Sequence, residues 1–168
     1  MLGRDYSLVG RTVNWRAGRE GKAEGEFASP VAIAVNPRGD VAVVDRLNHR
    51  IQFFDGATGA CRGAMGQKGG TPGDLLNPAG CAYSPEGHLA VADSSNHRIQ
   101  IYEPYSRRLA ASVGERGGGP RQCVSPGACC WVHGQALLVA DTGNHRLLVW
   151  AAPGVTAQAR APAGRYGC

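Results

Sequence analysis

Three pairs of an aspartate and a histidine, four residues apart, could supply acid–base chemistry or metal ligands. The pairs are Asp45 and His49, Asp93 and His97, and Asp141 and His145. A catalytic motif is normally needed once, whereas this one occurs three times. The recurrence favours a structural role, in which each aspartate accepts hydrogen bonds from the amides of a turn and orients a histidine. The predicted turn network also contains Asn48, Asn96 and Asn144.

The three pairs belong to a repeat of 48 residues that runs without gaps and also relates Pro30, Pro78 and Pro126. Each unit has four short apolar runs bounded by turn residues, which in the first unit are VAIAV, VAVVD, RIQFF and ACRGAM. Four antiparallel strands at this spacing predict one blade of a β-propeller. A solenoid is the alternative, but its strands would show stricter one-sided alternation than VAVVD does.

The composition also indicates an all-β chain. The 168 residues include 25 glycines and 10 prolines, and no segment keeps a 3.6-residue apolar period for more than a turn or two. No stretch reaches the roughly 20 apolar residues of a membrane helix, and the segment MLGRDYSLVG lacks the apolar core of a secretory signal. We therefore expect a soluble, cytoplasmic protein without a membrane partner.

The six cysteines show no C-x2-C spacing of the kind that marks a zinc or redox site. Cys81 and Cys129 occupy equivalent repeat positions inside predicted strands. This placement favours buried, reduced thiols over disulfides or metal ligands. The sequence predicts no cofactor.

The repeat resembles the NHL repeat over residues 19 to 162. The residues that carry the resemblance are a glycine-rich lead-in, a proline before the first strand, a glycine hairpin, and the triplet Asn48-His49-Arg50 with its two copies. The resemblance implies a β-propeller, which usually has six blades in this family. Within the family the chain is most similar to the propeller of tripartite-motif NHL proteins.

Three units cannot close a six-bladed ring, so we expect a partial propeller. The predicted domains are the end of a preceding blade at 1–18, blades at 19–66, 67–114 and 115–162, and a tail at 163–168. Either the chain is a fragment of a longer polypeptide, or two copies pair their open ends. Exposed blade faces predict self-association of the isolated chain.

The turns after the second strands and the connectors between blades should lie on one face, where recognition usually occurs. Nine cations there are candidate partner-binding residues: Arg19, Lys22, Arg46, Arg50, Lys68, Arg98, Arg116, Arg121 and Arg146. Eight acidic residues oppose them, which makes this face nearly neutral although the whole chain carries a formal charge of +5. The face would become effectively basic only if hydrogen bonds to the backbone masked the negative charges of the turn aspartates.

The resemblance implies a scaffold that binds a protein partner, as the propeller does in RING-type ubiquitin ligases. The sequence shows no RING constellation, so we expect the chain not to be an enzyme. RNA binding through the same face is the alternative, because several family members use it in this way. A third possibility is a metal-dependent lyase-like or sensor propeller, since amidating lyases with a similar propeller bind zinc through histidines.

Overall fold

The computed structural model describes residues 15–132 and 136–151, which form eleven strands. The strands are β1 (Pro30–Val35), β2 (Val41–Asp45), β3 (Arg50–Phe54), β4 (Cys61–Met65), β5 (Gly80–Tyr83), β6 (Leu89–Asp93), β7 (Arg98–Tyr102), β8 (Leu109–Val113), β9 (Ala128–Val132), β10 (Ala136–Asp141) and β11 (Arg146–Ala151). No α-helix occurs in these two ranges. The prediction of an all-β chain is confirmed.

The strands form three antiparallel sheets in which sequence neighbours are also sheet neighbours. Strands β1 to β4 and β5 to β8 make four-stranded sheets, and β9 to β11 make a three-stranded sheet. The first strands contact one another, β1 against β5 and β5 against β9. The sheets are consecutive blades of an open, partial β-propeller, as the repeat predicted.

Two predicted segments lie outside the described residues. They are the end of a preceding blade, apart from its last few residues, and the fourth strand of the third unit near TAQARA. The exact blade boundaries remain predictions.

Apolar side chains between neighbouring sheets form the core. The first junction contains Ile51 and Phe53 of β3, together with Val91 of β6. The second contains Ile99 of β7 and Val139 of β10. Burying an aliphatic side chain of this size contributes about 1.5 to 3 kcal/mol. The junctions are therefore the main apolar stabilisation of the chain.

The middle sheet is covered on both faces. All five residues of β6 are buried, with Leu89 and Val91 in the first junction and Ala90 and Ala92 in the second. This double burial explains why LAVAD shows little polar alternation. In β10 of the outermost described sheet the burial alternates, although its sequence ALLVAD is as apolar as LAVAD.

The outer faces of the first and third sheets expose apolar side chains. Ile33 and Val35 of β1 are 69% and 57% exposed, and Leu147 and Val149 of β11 are 69% and 65% exposed. Within the described residues nothing covers these side chains. Such surfaces normally pack against another element or another chain.

In the described ranges we find no helix with the length and apolar character needed to span a bilayer.

Candidate functional site

One end of the sheets carries the turns between second and third strands together with the connectors between sheets. The turns are single 3-10 turns at Arg46–Asn48, Ser94–Asn96 and Thr142–Asn144, and the connectors are residues 18–29, 66–77 and 114–125. In the first unit the turn amides of Arg46 and Leu47 donate to the connector carbonyls of Ser29 and Ala28, at 3.1 and 3.0 Å. We call this end of the sheets the turn–connector face.

A buried aspartate lies at the centre of each unit of this face. Asp45 is fully buried, and its Oδ1 accepts a hydrogen bond from the amide of Ala28 in the connector, at 2.8 Å. Its Oδ2 accepts from Asn48 Nδ2 at 2.8 Å and from Arg50 Nε at 2.9 Å. The prediction that the aspartates bond turn amides therefore needs correction, because the amide they bind belongs to the connector.

The other two units repeat this arrangement. Asp93 accepts from Leu76 N, Asn96 and Arg98, and Asp141 accepts from Val124 N, Asn144 and Arg146. Burial raises the pKa of Asp141, but the hydrogen bonds from Val124, Asn144 and Arg146 lower it by more, so the carboxyl titrates below its ordinary range. This aspartate is therefore ionised at neutral pH.

The arginine of each unit holds the connector in place. Arg50 Nη1 donates to the carbonyl of Lys22 at 2.7 Å, and Nη2 donates to those of Ala23 and Glu26 at 2.8 and 2.7 Å. Arg98 and Arg146 bind the equivalent carbonyls in their own connectors. Four of the five N–H donors of each arginine are engaged inside the described chain. That Arg50, Arg98 and Arg146 contact a partner stays a prediction, with one N–H group of each left for that contact.

The sequence reasoning did not include a buried glutamine that completes the network. Gln52 Nε2 donates to the carbonyl of Glu26 at 2.6 Å, and its Oε1 accepts from Gly25 N at 2.8 Å. Gln100 makes the same bonds in the second unit. The sequence signal that could have identified this residue is the glutamine that RIQFF and RIQIY share at the same repeat position. Leu148 stands at this position in the third unit, which therefore lacks these bonds.

The histidines connect neighbouring units. His49 and His97 adopt the left-handed conformation, with φ of 55° and 56°. His49 Nδ1 accepts from the amide of Asn77 at 3.1 Å, and His97 Nδ1 accepts from that of Ser125 at 3.0 Å, in each case in the next connector. None of the described aspartates hydrogen-bonds either ring. His145 has the same conformation but makes no such bond within the described residues.

Replacing His49 or His97 with asparagine should lower the free energy of unfolding by about 1 kcal/mol, the typical net contribution of one hydrogen bond. Asparagine tolerates the left-handed conformation, so the substitution removes the imidazole and little else. His145→Asn is the matched control and should cost clearly less. Denaturant titration of the three variants measures the differences, and equal losses at all three positions would contradict the connecting role.

The stability of the first junction should depend on pH through His49. Burial lowers the pKa of His49, and the nearby Lys68 lowers it further. Folding thus favours the neutral ring, which Nδ1 needs in order to accept a hydrogen bond. The stabilisation is fully present above the unfolded-state pKa of about 6.5 and is lost as pH falls through the folded-state value. Unfolding free energies at pH 7.5 and 5.0 should differ more for the parent chain than for His49→Asn.

The charges left on the turn–connector face nearly balance. Each buried aspartate pairs with its arginine, and Arg19 pairs with Glu26 at 2.7 Å. Five exposed cations make no ion pair within the described residues: Lys22, Arg46, Lys68, Arg116 and Arg121. Four acids remain there, namely Glu20, Glu24, Asp74 and Glu115. Because each buried aspartate pairs with an arginine, both charges of the pair are neutralised together, and the face does not become basic.

The described residues contain no group of three or more histidine, cysteine, aspartate or glutamate side chains placed to hold a metal ion. Cys129 is buried and Cys81 is half-buried, and burial raises the pKa of the Cys81 thiol to about 12. The Cys81 thiol is therefore protonated and unreactive at neutral pH.

Comparison with known proteins identifies the repeat. The family model described as NHL repeat matches residues 27–54 and 75–102. A segment of 38 residues is 53% identical to B-box type zinc finger protein ncl-1 of Caenorhabditis elegans and 50% identical to Protein brain tumor of Drosophila melanogaster. Each match covers 23% of this chain but only 4% of the relative.

Solved structures share the fold at low sequence identity. A putative exported protein of Bacteroides fragilis is 18% identical, with a TM-score of 0.57 over 77% of this chain and 36% of its own. Hydrazine synthase of Kuenenia stuttgartiensis is 15% identical, with a TM-score of 0.53 over 76% of this chain and 37% of its own. At these identities the likeness concerns the fold alone.

The likeness to hydrazine synthase corrects one prediction. The sequence led us to expect that the chain is not an enzyme, and this expectation is contradicted because the same fold forms part of an enzyme. A propeller of this kind is compatible with catalysis as well as with binding.

Proposed function

Because the chain is built of NHL repeats that form consecutive blades of a β-propeller, we propose that it recognises a protein partner through the turn–connector face. The observation that carries this proposal is the clamped connector. In each unit a buried aspartate and its arginine fix the connector backbone through several hydrogen bonds, while the neighbouring cations remain exposed. A rigid backbone lowers the entropy cost of presenting exposed side chains to a partner.

The charge distribution supports protein rather than RNA as the ligand. An RNA-binding face is normally strongly basic, whereas five unpaired cations and four acids share this one. RNA binding remains the second candidate, because the five cations are exposed and form no ion pairs within the described part of the chain.

We further propose that the propeller is the recognition part of a longer polypeptide related to tripartite-motif ubiquitin ligases. Its support is the resemblance of the repeat, together with a relative that is by name a B-box type zinc finger protein. Under this proposal the propeller selects the partner and other segments act on it.

Crosslinking in cells tests the function. The full chain is expressed with a tag, crosslinked, and purified, and the bound proteins and RNA are identified. We expect a defined protein whose recovery falls at least fivefold in a variant with Lys22→Glu and Arg46→Glu. Arg16→Gln is the control, since Arg16 is exposed and lies outside the proposed interface. Recovery of RNA that is lost in the double variant, with no defined protein, would overturn the proposal.

The salt dependence of binding provides a second criterion. Binding of RNA weakens steeply with salt because counterions are released from the phosphates. We expect the affinity for the captured protein to change far less between 50 and 200 mM salt.

A further inference from the structure

A cleft of about 190 Å³ opens between the first and second sheets, and the hairpin between β1 and β2 and the turn between β7 and β8 contribute to its walls. The residues that matter here are Arg38, Arg62, Arg107 and Tyr102. The hairpins and the turns beside this cleft join the opposite strand ends from those of the turn–connector face. The cleft is therefore a second, separate surface feature.

The arginines of the cleft are not needed to join two sheets. At the positions 48 residues further on, Arg38 is replaced by Glu86, Arg62 by Ala110 and Arg107 by Val155. The second junction nevertheless packs as an apolar cluster around Ile99 and Val139. The repeat therefore supplies an internal comparison, in which a cationic lining is particular to the first junction.

Two of the arginines are held beside aromatic rings without an acidic partner in the described chain. The guanidinium of Arg38 lies 3.5 Å from the ring centre of Tyr105, and that of Arg107 lies 4.0 Å from the ring centre of Phe53. Arg107 Nη2 also donates to the carbonyl of Arg62 at 2.8 Å. Stacking of this kind fixes the guanidinium plane and leaves other N–H groups free to bind an anion.

Tyr102 also lines the cleft, but its hydroxyl lies near Asp93, Arg98 and Asp74 of the turn–connector network and not near the cleft arginines. Its side chain is 3% exposed, and its Oη has no hydrogen-bond partner among the described residues. The repeat positions before and after it hold Phe54 and Trp150, so packing does not require a hydroxyl there. Burial raises the pKa of Tyr102, which keeps the proton on the hydroxyl as a hydrogen-bond donor. This hydroxyl is therefore not placed to donate to a ligand held between Arg38 and Arg107.

We propose that this cleft binds the carboxylate of one aspartate or glutamate side chain in a peptide partner, an inference that rests on the proposed protein-binding function. Arg38 and Arg107 supply the positive charge and the N–H donors. Arg62 is already paired with Asp55 and lies 3.7 Å from Asp40, so it adds little free charge.

The size and the charge of the cleft favour a single carboxylate. A volume of about 190 Å³ suits one side chain rather than several nucleotides. Asp40 and Glu103 also line the cleft, and their negative charges offset part of the positive charge of Arg38 and Arg107. A phosphate dianion or an RNA backbone would bring more negative charge than this lining can balance.

Titration of the full chain with two short peptides tests the proposal. The probes are acetyl-Gly-Glu-Gly-amide and its matched control acetyl-Gly-Gln-Gly-amide, and NMR follows the arginine Nε–Hε signals. We expect the glutamate peptide to shift the signals of Arg38 and Arg107 and to bind at least fivefold more tightly than the glutamine peptide. Arg38→Gln and Arg107→Gln should each raise its Kd at least fivefold, whereas Arg16→Gln should leave it unchanged.

Tyr102→Phe keeps the ring and its packing, so it provides a variant that folds. We expect it to leave the Kd for the glutamate peptide unchanged, because its hydroxyl lies near the turn–connector network, so it serves as a control for the packing of the cleft. Equal binding of both peptides, no effect of the arginine variants, or tighter binding of inorganic phosphate or a uridine heptamer in this cleft would overturn the inference. The capture experiment on the turn–connector face stands independently of these outcomes.

Discussion

Replacing Asp93 with alanine should lower the free energy of unfolding by about 3 to 5 kcal/mol, the cost of leaving a buried charge without its partner. Asp93 is fully buried and accepts from Leu76 N at 2.7 Å, from Asn96 at 2.9 Å and from Arg98 at 2.7 Å. Its removal leaves the guanidinium of Arg98, 11% exposed, unneutralised beside the second connector. Denaturant unfolding monitored by tryptophan fluorescence measures the loss.

Two further variants separate the ion pair from the clamp on the connector. Asp55→Ala breaks an exposed pair with Arg62 and should have a much smaller effect. Asp93→Ala combined with Arg98→Met removes both charges, but the carbonyl of Gly70 then loses its donor, and those of Thr71 and Asp74 each lose one of two donors. We expect the double variant to remain clearly destabilised. Full recovery of stability would show that Asp93 and Arg98 only neutralise each other, and that the bonds of Arg98 to the connector contribute nothing.

Replacing Ile99 with alanine should cost about 2 to 5 kcal/mol, because the side chain is fully buried in the second junction and its removal leaves a cavity. The matched control is Leu147→Ala, since Leu147 occupies the same repeat position but is 69% exposed. We expect it to change the free energy of unfolding by less than about 0.5 kcal/mol.

The comparison of these two variants also reports on the open face. If the isolated chain pairs through its third sheet, as the sequence predicts, Leu147 becomes buried and its replacement becomes costly. Sedimentation of the parent chain and of Leu147→Ala over a range of concentrations distinguishes the cases. A stable monomer in which Ile99→Ala and Leu147→Ala cost the same would contradict the packing described for the junctions.

The strands could be predicted closely because the repeat averages out local ambiguity. One unit alone, such as VAVVD followed by RIQFF, fits either a buried strand or a short buried helix. Three copies in register place the turn residues at fixed offsets, and the observed β2, β3, β6 and β7 coincide with the predicted runs. The double burial of β6 agrees with the expectation that inner strands are apolar on both faces. LLVAD led to the same expectation for β10, which among the described residues is buried on one face only.

The side-chain partners could not be predicted because they depend on which loops meet. Sequence spacing placed Asp45 and His49 in one turn, and from that we inferred that the aspartate binds the turn amides and orients a histidine. The structure instead directs the aspartate to the connector of its own unit and the histidine to the next connector. An exposed role for Arg50 was an equally local inference. Its donors reach carbonyls 24 to 28 residues earlier in the chain, and no short motif reports such a contact.

The self-contained clamp has an evolutionary consequence. Nearly all buried polar groups at this end of a sheet find their partners within the same 48 residues. Among the described hydrogen bonds, the imidazoles of His49 and His97, and the Cys123 thiol that donates to the carbonyl of His97, connect this network to a neighbouring unit. Duplication or deletion of a whole module would therefore leave no new unpaired buried charge. Recombination could therefore add or remove whole repeat units, and each remaining unit would keep its internal hydrogen bonds.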